Sequence, residues 1–247
     1  DAFRAGASLP VPGSLAGLRC VDAPTRAESL FDPPASDLPQ TERLAGLVRR
    51  ALVADRCALM GARRALAHER FDIVYLRLQG YYDVAYQFAG WRASSPARSA
   101  AEREIEAYGR TLVRYAREIG SSLGQVLIEG RERGMVALVS PHGIRARHDA
   151  SQLADALLGR IGPTGTHAGP PPGMLLLAGD GVRPERLNRR APSVSVLPTL
   201  LWASGLPPSE QMGPIVFDLF EPSFTRATPV VSVPTYARTS PNEDAPR

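Results

Sequence analysis

Phe71-Asp72-Ile73-Val74-Tyr75-Leu76-Arg77-Leu78-Gln79-Gly80 is the stretch on which the reading of this chain turns. Its first eight residues are short, β-branched and aromatic, and they run out at a glycine, which predicts a strand entering a loop. Two further runs have the same character: Met135-Val136-Ala137-Leu138-Val139-Ser140, broken at once by Pro141, and Met174-Leu175-Leu176-Leu177-Ala178, ending at Gly179. Between them the period changes. Leu44, Leu47, Val48, Ala51, Leu52, Leu59 and Leu66 recur at helical spacing among arginines and acids, so residues 41–69 are read as one long amphipathic helix or two in succession, with Thr41 as N-cap. Residues 99–120 are helical again, and residues 194–205 are read as a helix with Pro198 in its first turns, where proline is tolerated.

Near-continuous apolar strands alternating with helices imply an α/β fold, a mostly parallel sheet flanked by helices on both faces. The expected partition is an irregular proline-rich arm over residues 1–40, the α/β domain over residues 41–221, and an extended proline-rich tail over residues 222–247. In parallel sheets ligands collect beyond the carboxyl ends of the strands. That directs attention to Gln79-Gly80-Tyr81, to Ser140-Pro141-His142, and to the loop before the third strand.

Composition narrows the function classes. Hydrophobic residues are 44% and charged residues 22% of the 247, a globular balance. Every basic residue is arginine, and with a net charge of +4 and acids interleaved throughout there is no basic stripe for nucleic acid. No run approaches the ~18 apolar residues of a membrane span, which leaves association with a membrane complex open. Cys20 and Cys57 lack CxxC spacing and fit either one disulfide or two isolated thiols, so an exported location and the cytoplasmic face of a membrane complex both stay open. The chain opens on Asp1 rather than methionine, which leaves room for a preceding portion.

Two histidines fall at predicted strand ends. His142, in Ser140-Pro141-His142-Gly143, reads as a metal ligand or base, or as a loop histidine bonded to a backbone carbonyl. His167, in Gly165-Thr166-His167-Ala168-Gly169, is a second candidate for the same crevice. His68, His148 and the arginines Arg186, Arg189 and Arg190 read as solvated surface, and Gly179-Asp180-Gly181 is too short for a phosphate loop.

Residues 71–91, 136–144 and 165–219 together resemble, in block order and spacing, the type I phosphodiesterase and nucleotide pyrophosphatase branch of the alkaline phosphatase superfamily. The likeness covers about residues 41–236 and corresponds to the C-terminal half of that family. It implies an alkaline-phosphatase-like sheet and, in active members, two divalent metals, commonly zinc, that clamp the attacking and leaving oxygens of a phosphoryl transfer. Position by position, the resemblance puts the family's ligands on Tyr82, Tyr86, Pro141, His142 and His167, so only the two histidines are retained. Sliding the register by one residue offers Asp83, whose i+4 partner is then Gln87, and leaves Pro141 without a donor.

The resemblance therefore implies no catalytic residue and no bound metal cofactor in this chain. Tyr81, Tyr82 and Tyr86, with Phe88 and Trp91, either fill the former cavity or form an aromatic surface for a protein partner. The leading expectation is a non-catalytic domain serving as a structural or accessory subunit of a larger protein assembly. The alternatives are a metal-dependent phosphodiesterase or pyrophosphatase whose nucleophile lies in an N-terminal portion, and a module that binds a small anion in the old crevice.

Overall fold

The computed structural model describes residues 27–32, 38, 40–68, 71–92, 102–147, 162–185 and 190–236. The expectations for His148, Arg186, Arg189 and most of the N-terminal arm lie outside the described residues. The chain divides into two compact units, residues 1–133 with 142–172, and residues 134–141 with 173–247.

The first unit is built on helices. The periodic stretch forms a single helix, α1 (Thr41–His68), whose buried stripe is Leu44, Ala45, Val48, Ala51, Leu52, Asp55, Leu59, Ala62 and Ala65. The Leu44 N–H donates to the Gln40 carbonyl, so the helical ladder begins one residue before the expected cap. Thr41 instead shares a 2.7 Å hydrogen bond with the Tyr108 hydroxyl. Against the stripe pack α2 (Gln79–Phe88) and α4 (Thr111–Arg131), with α3 (Glu102–Tyr108) leading into the latter. The core between them holds Val84, Phe88, Trp91, Ala107, Tyr108, Tyr115 and Ile119, together with Phe31 from the 3-10 turn region that precedes α1. Its aromatic rings meet edge-on, Phe31 on Tyr108 at 5.2 Å and Phe88 on Trp91 at 5.3 Å, the geometry in which ring quadrupoles attract. Burying each such side chain is worth about 1.5–3 kcal/mol. The ion pairs Arg56–Glu118 and Arg63–Glu129 join α1 to α4 along the exposed edge, where such pairs add little.

The strands correct the fold expectation. There is no mostly parallel sheet: the described strands form two antiparallel pairs of two. In the first unit β2 (Arg145–Ala146) pairs antiparallel with β3 (Gly165–Thr166), Arg145 opposite Thr166. The two apolar runs expected as separate parallel strands, β1 (Val136–His142) and β4 (Pro172–Ala178), pair with each other. A Cβ on Gly173 would meet Ser140 and Pro141, and one on Gly179 would meet Gly134 and Met135, so the two strands run in opposite directions. Residues 71–78, the remaining expected strand, pair with no other described strand and carry no regular secondary structure. The inference failed because a near-continuous apolar run reports burial on both faces of a strand and says nothing about the direction of its neighbour. Here the premise fails too, since Val139, Met174 and Leu176 are exposed.

The second unit centres on α5 (Val196–Ala203), which holds Pro198 in its first turn as expected. Buried Trp202 is met edge-on by Phe217, Phe220 and Phe224 at 5.0, 5.1 and 5.7 Å, and its indole N–H donates to the Thr228 carbonyl. The segment expected as an extended tail begins instead with a short helix, α6 (Pro222–Ala227), started by proline at its first position. Gly181 has φ +74° and its missing Cβ leaves room for the Phe224 ring, which fixes why Gly179-Asp180-Gly181 is a turn rather than a ligand loop.

Candidate functional site

The site begins with a close helix crossing. A Cβ on Gly80 would lie 2.3 Å from the Ala51 carbonyl oxygen and 2.6 Å from the Tyr115 hydroxyl, so only glycine lets the start of α2 rest on α1. There Asp55, from the buried stripe of α1, accepts hydrogen bonds from the Gly80 N–H at 2.8 Å, the Tyr81 N–H at 2.7 Å and the Tyr115 hydroxyl at 2.9 Å. It caps the N–H groups of the second and third residues of α2 from another helix, a task that Leu78 at the N-cap cannot perform. Burial pushes the Asp55 carboxyl above its usual range, against the three donors that pull it down. The Tyr115 hydroxyl is likewise pushed well above its ordinary value by burial and by the adjacent carboxylate.

The far end of α2 is fixed by Thr164. Its hydroxyl donates to the Gln87 carbonyl at 2.6 Å and accepts from the Gly90 N–H at 2.8 Å, which ties off the C-terminal end of the helix. The Gln87 side chain donates to the Gly162 carbonyl. The next residue, Gly165, approaches the helix so closely that a Cβ would stand 2.6 Å from the Tyr86 carbonyl oxygen. This contact delivers His167, two residues on, to the face of α2 that carries Tyr82 and Tyr86.

Four of the expected positions therefore meet. The rings of Tyr82, Tyr86 and His167 lie nearly parallel, with centroids 6.1, 5.6 and 5.3 Å apart. The Tyr82 hydroxyl and Nε2 of His167 are 2.7 Å apart and hydrogen-bonded, and Nδ1 of His167 is buried with no hydrogen-bond partner among the described residues. His142 meets His167 edge-on at 4.8 Å. The Gly143 N–H donates to the Pro171 carbonyl at 2.9 Å, which ties the loop of one histidine to that of the other.

The remaining named residues divide. Phe88 and Trp91 join the core, and the Trp91 indole N–H donates to Glu104. Tyr81 stays exposed beside Tyr115. Pro141 lies exposed on β1, and Asp83 is exposed and bonded to Gln79 on its own helix. Asp55 and Thr164 went unremarked in the sequence. Asp55 had a readable signal, being the one acid within the apolar stripe of α1, whereas Thr164 had none.

A pair of divalent ions needs about three ligands apiece. Among the described residues two imidazoles and two phenols meet here, fewer donors than such a pair needs, and Nε2 of His167 is engaged by Tyr82 while its Nδ1 is not. Among the described residues no three His, Cys, Asp or Glu side chains gather in one place. Nor is any helix long and apolar enough to cross a membrane. Cys57, on α1, is disulfide-bonded, and the other cysteine of the sequence, Cys20, lies outside the described residues. No family model, no curated protein and no solved structure matches this chain.

Proposed function

We propose that this chain is a non-catalytic relative of the type I phosphodiesterases that serves as a structural or accessory subunit of a larger protein assembly. The observation that carries the reading is the 2.7 Å hydrogen bond between Tyr82 and Nε2 of His167. In that arrangement one of the two ring nitrogens of His167 is spent on a phenol, and the stacked tyrosines stand at the positions where the resemblance puts ligands. The meeting of Tyr82, Tyr86, His142 and His167 at one place supports the alignment that linked these positions, independently of how the strands pair. The disulfide on Cys57 suits an oxidising compartment.

Elemental analysis of the purified full chain after equilibration with zinc tests the proposal, paired with turnover of a nitrophenyl phosphodiester in added zinc, manganese or magnesium. Background turnover and substoichiometric metal are expected. Two tightly bound zinc ions per chain, or metal-dependent turnover, would return the chain to the hydrolases.

A further inference from the structure

We propose that residues 71–77 form an open strand that receives a β-strand from a partner protein; this rests on the assembly role above and names the surface that role would use. Ile73 at 60% and Tyr75 at 86% are more exposed than Val74 at 41%, Arg77 is exposed, and Leu76 and Leu78 pack against the core, so over residues 73–78 exposure rises and falls with period two as in a strand. Yet no main-chain N–H or C=O from Phe71 to Arg77 is hydrogen-bonded to another described residue. Backbone groups that are not paired within a fold are a complete accounting question, and a β-prone segment with both edges open is a template for strand addition.

The chemistry of the occupant follows from the side chains. Phe71, Ile73, Val74 and Tyr75 expose apolar surface on the order of 500 Å², given that an aromatic side chain buries roughly 150–250 Å². That is short of the roughly 800 Å² each partner buries in a stable complex, so two copies meeting only at these side chains fall below a stable dimer. A strand that also takes up the main-chain groups makes good the difference. Asp72 and Arg77 are exposed at opposite ends and have no ion-pair partner among the described residues. An antiparallel strand with an acid near its N-terminal end and a base near its C-terminal end complements both charges.

The full chain tests this with a labelled eight-residue peptide of alternating valine and threonine, with glutamate at its second position and arginine at its seventh, the five-residue spacing that places them opposite Arg77 and Asp72 in one antiparallel register. Fluorescence anisotropy is expected to show at least tenfold tighter binding than for the charge-reversed peptide, and the double exchange Asp72→Arg with Arg77→Asp, at exposed positions, is expected to invert that preference. Hydrogen exchange of the amides at 72–77 is expected to slow on binding. Equal binding by a peptide N-methylated at alternate amides, or unchanged exchange, overturns the proposal. So does a concentration-dependent dimer with those amides already protected, which would make the occupant a second copy. Metal-dependent turnover alongside intact strand binding would sink the functional reading alone, and inert protein without strand binding would sink this inference alone.

Discussion

Replacing Asp55 with alanine removes the acceptor for three donors at once, two of which have nowhere else to turn. The Gly80 N–H and the Tyr115 hydroxyl are buried, whereas Tyr81 is exposed enough for its N–H to reach water. Each stranded buried donor costs about 1–3 kcal/mol, and loss of the cap on α2 adds about 1 kcal/mol. Relief of a carboxylate that burial disfavours returns part of this. The net loss is then about 2–4 kcal/mol, which for a domain of this size lowers Tm by roughly 5–15 °C. Urea denaturation followed by circular dichroism gives the loss, and a double-mutant cycle with Tyr115→Phe isolates the coupling between the two side chains. A loss below 1 kcal/mol, or coupling indistinguishable from zero, would refute the claim that Asp55 holds α2 in place.

Gly80→Ala is expected to destabilise by about 1–3 kcal/mol or more, since the added carbon strikes the Ala51 carbonyl, a backbone atom that cannot swing away; thermal melting checks it. Tyr82→Phe is expected to cost about 0.5–1.5 kcal/mol and to shift the His167 ring resonances in a proton–nitrogen correlation spectrum, leaving those of His68 unmoved. Burial raises the Asp32 carboxyl but Arg110 and Arg114 outweigh it and hold the group below its usual range. Its contribution is therefore present above pH 3.8 and lost as pH falls below that toward its depressed folded value, so the stability gap between the wild type and Asp32→Asn is expected to close in acid titration and to narrow with salt. Cys57 is expected to resist alkylation until a reductant is added, as read by intact mass.

Local and periodic features were legible and the sheet was not. The stripe from Leu44 to Ala65 announces α1 because a helix records burial every three or four residues along its own sequence. The helix expected over residues 194–205 appears as a 3-10 turn and α5, and the one over residues 99–120 breaks in two around Gly109, where the chain packs so closely that a Cβ would meet the Ile105 and Trp91 carbonyls. Strand partners are set by distant contacts, which is why residues 71–78 could be read as β-prone but not as unpaired, and why β1 and β4 were not read as each other's neighbours. The gathering of His142 and His167 was anticipated through a parallel sheet, yet the antiparallel β2–β3 pair and the Thr164 clasp bring it about. The helix in the expected tail escaped notice because its six residues follow a proline in a segment without sustained period.

The clamp of Asp55 on the start of α2 also bears on the order in which the first unit assembles. A helix of ten residues is too short to persist alone, because nucleation is costly and each end leaves groups unpaired. α2 can hold its shape only once α1 presents Asp55 and α4 presents Tyr115. The two long helices then belong to the folding nucleus, and the stacked rings of Tyr82, Tyr86 and His167 close afterwards. Substitutions along the α1 stripe should slow refolding, while those in the ring stack should chiefly hasten unfolding, a division that stopped-flow kinetics can read directly.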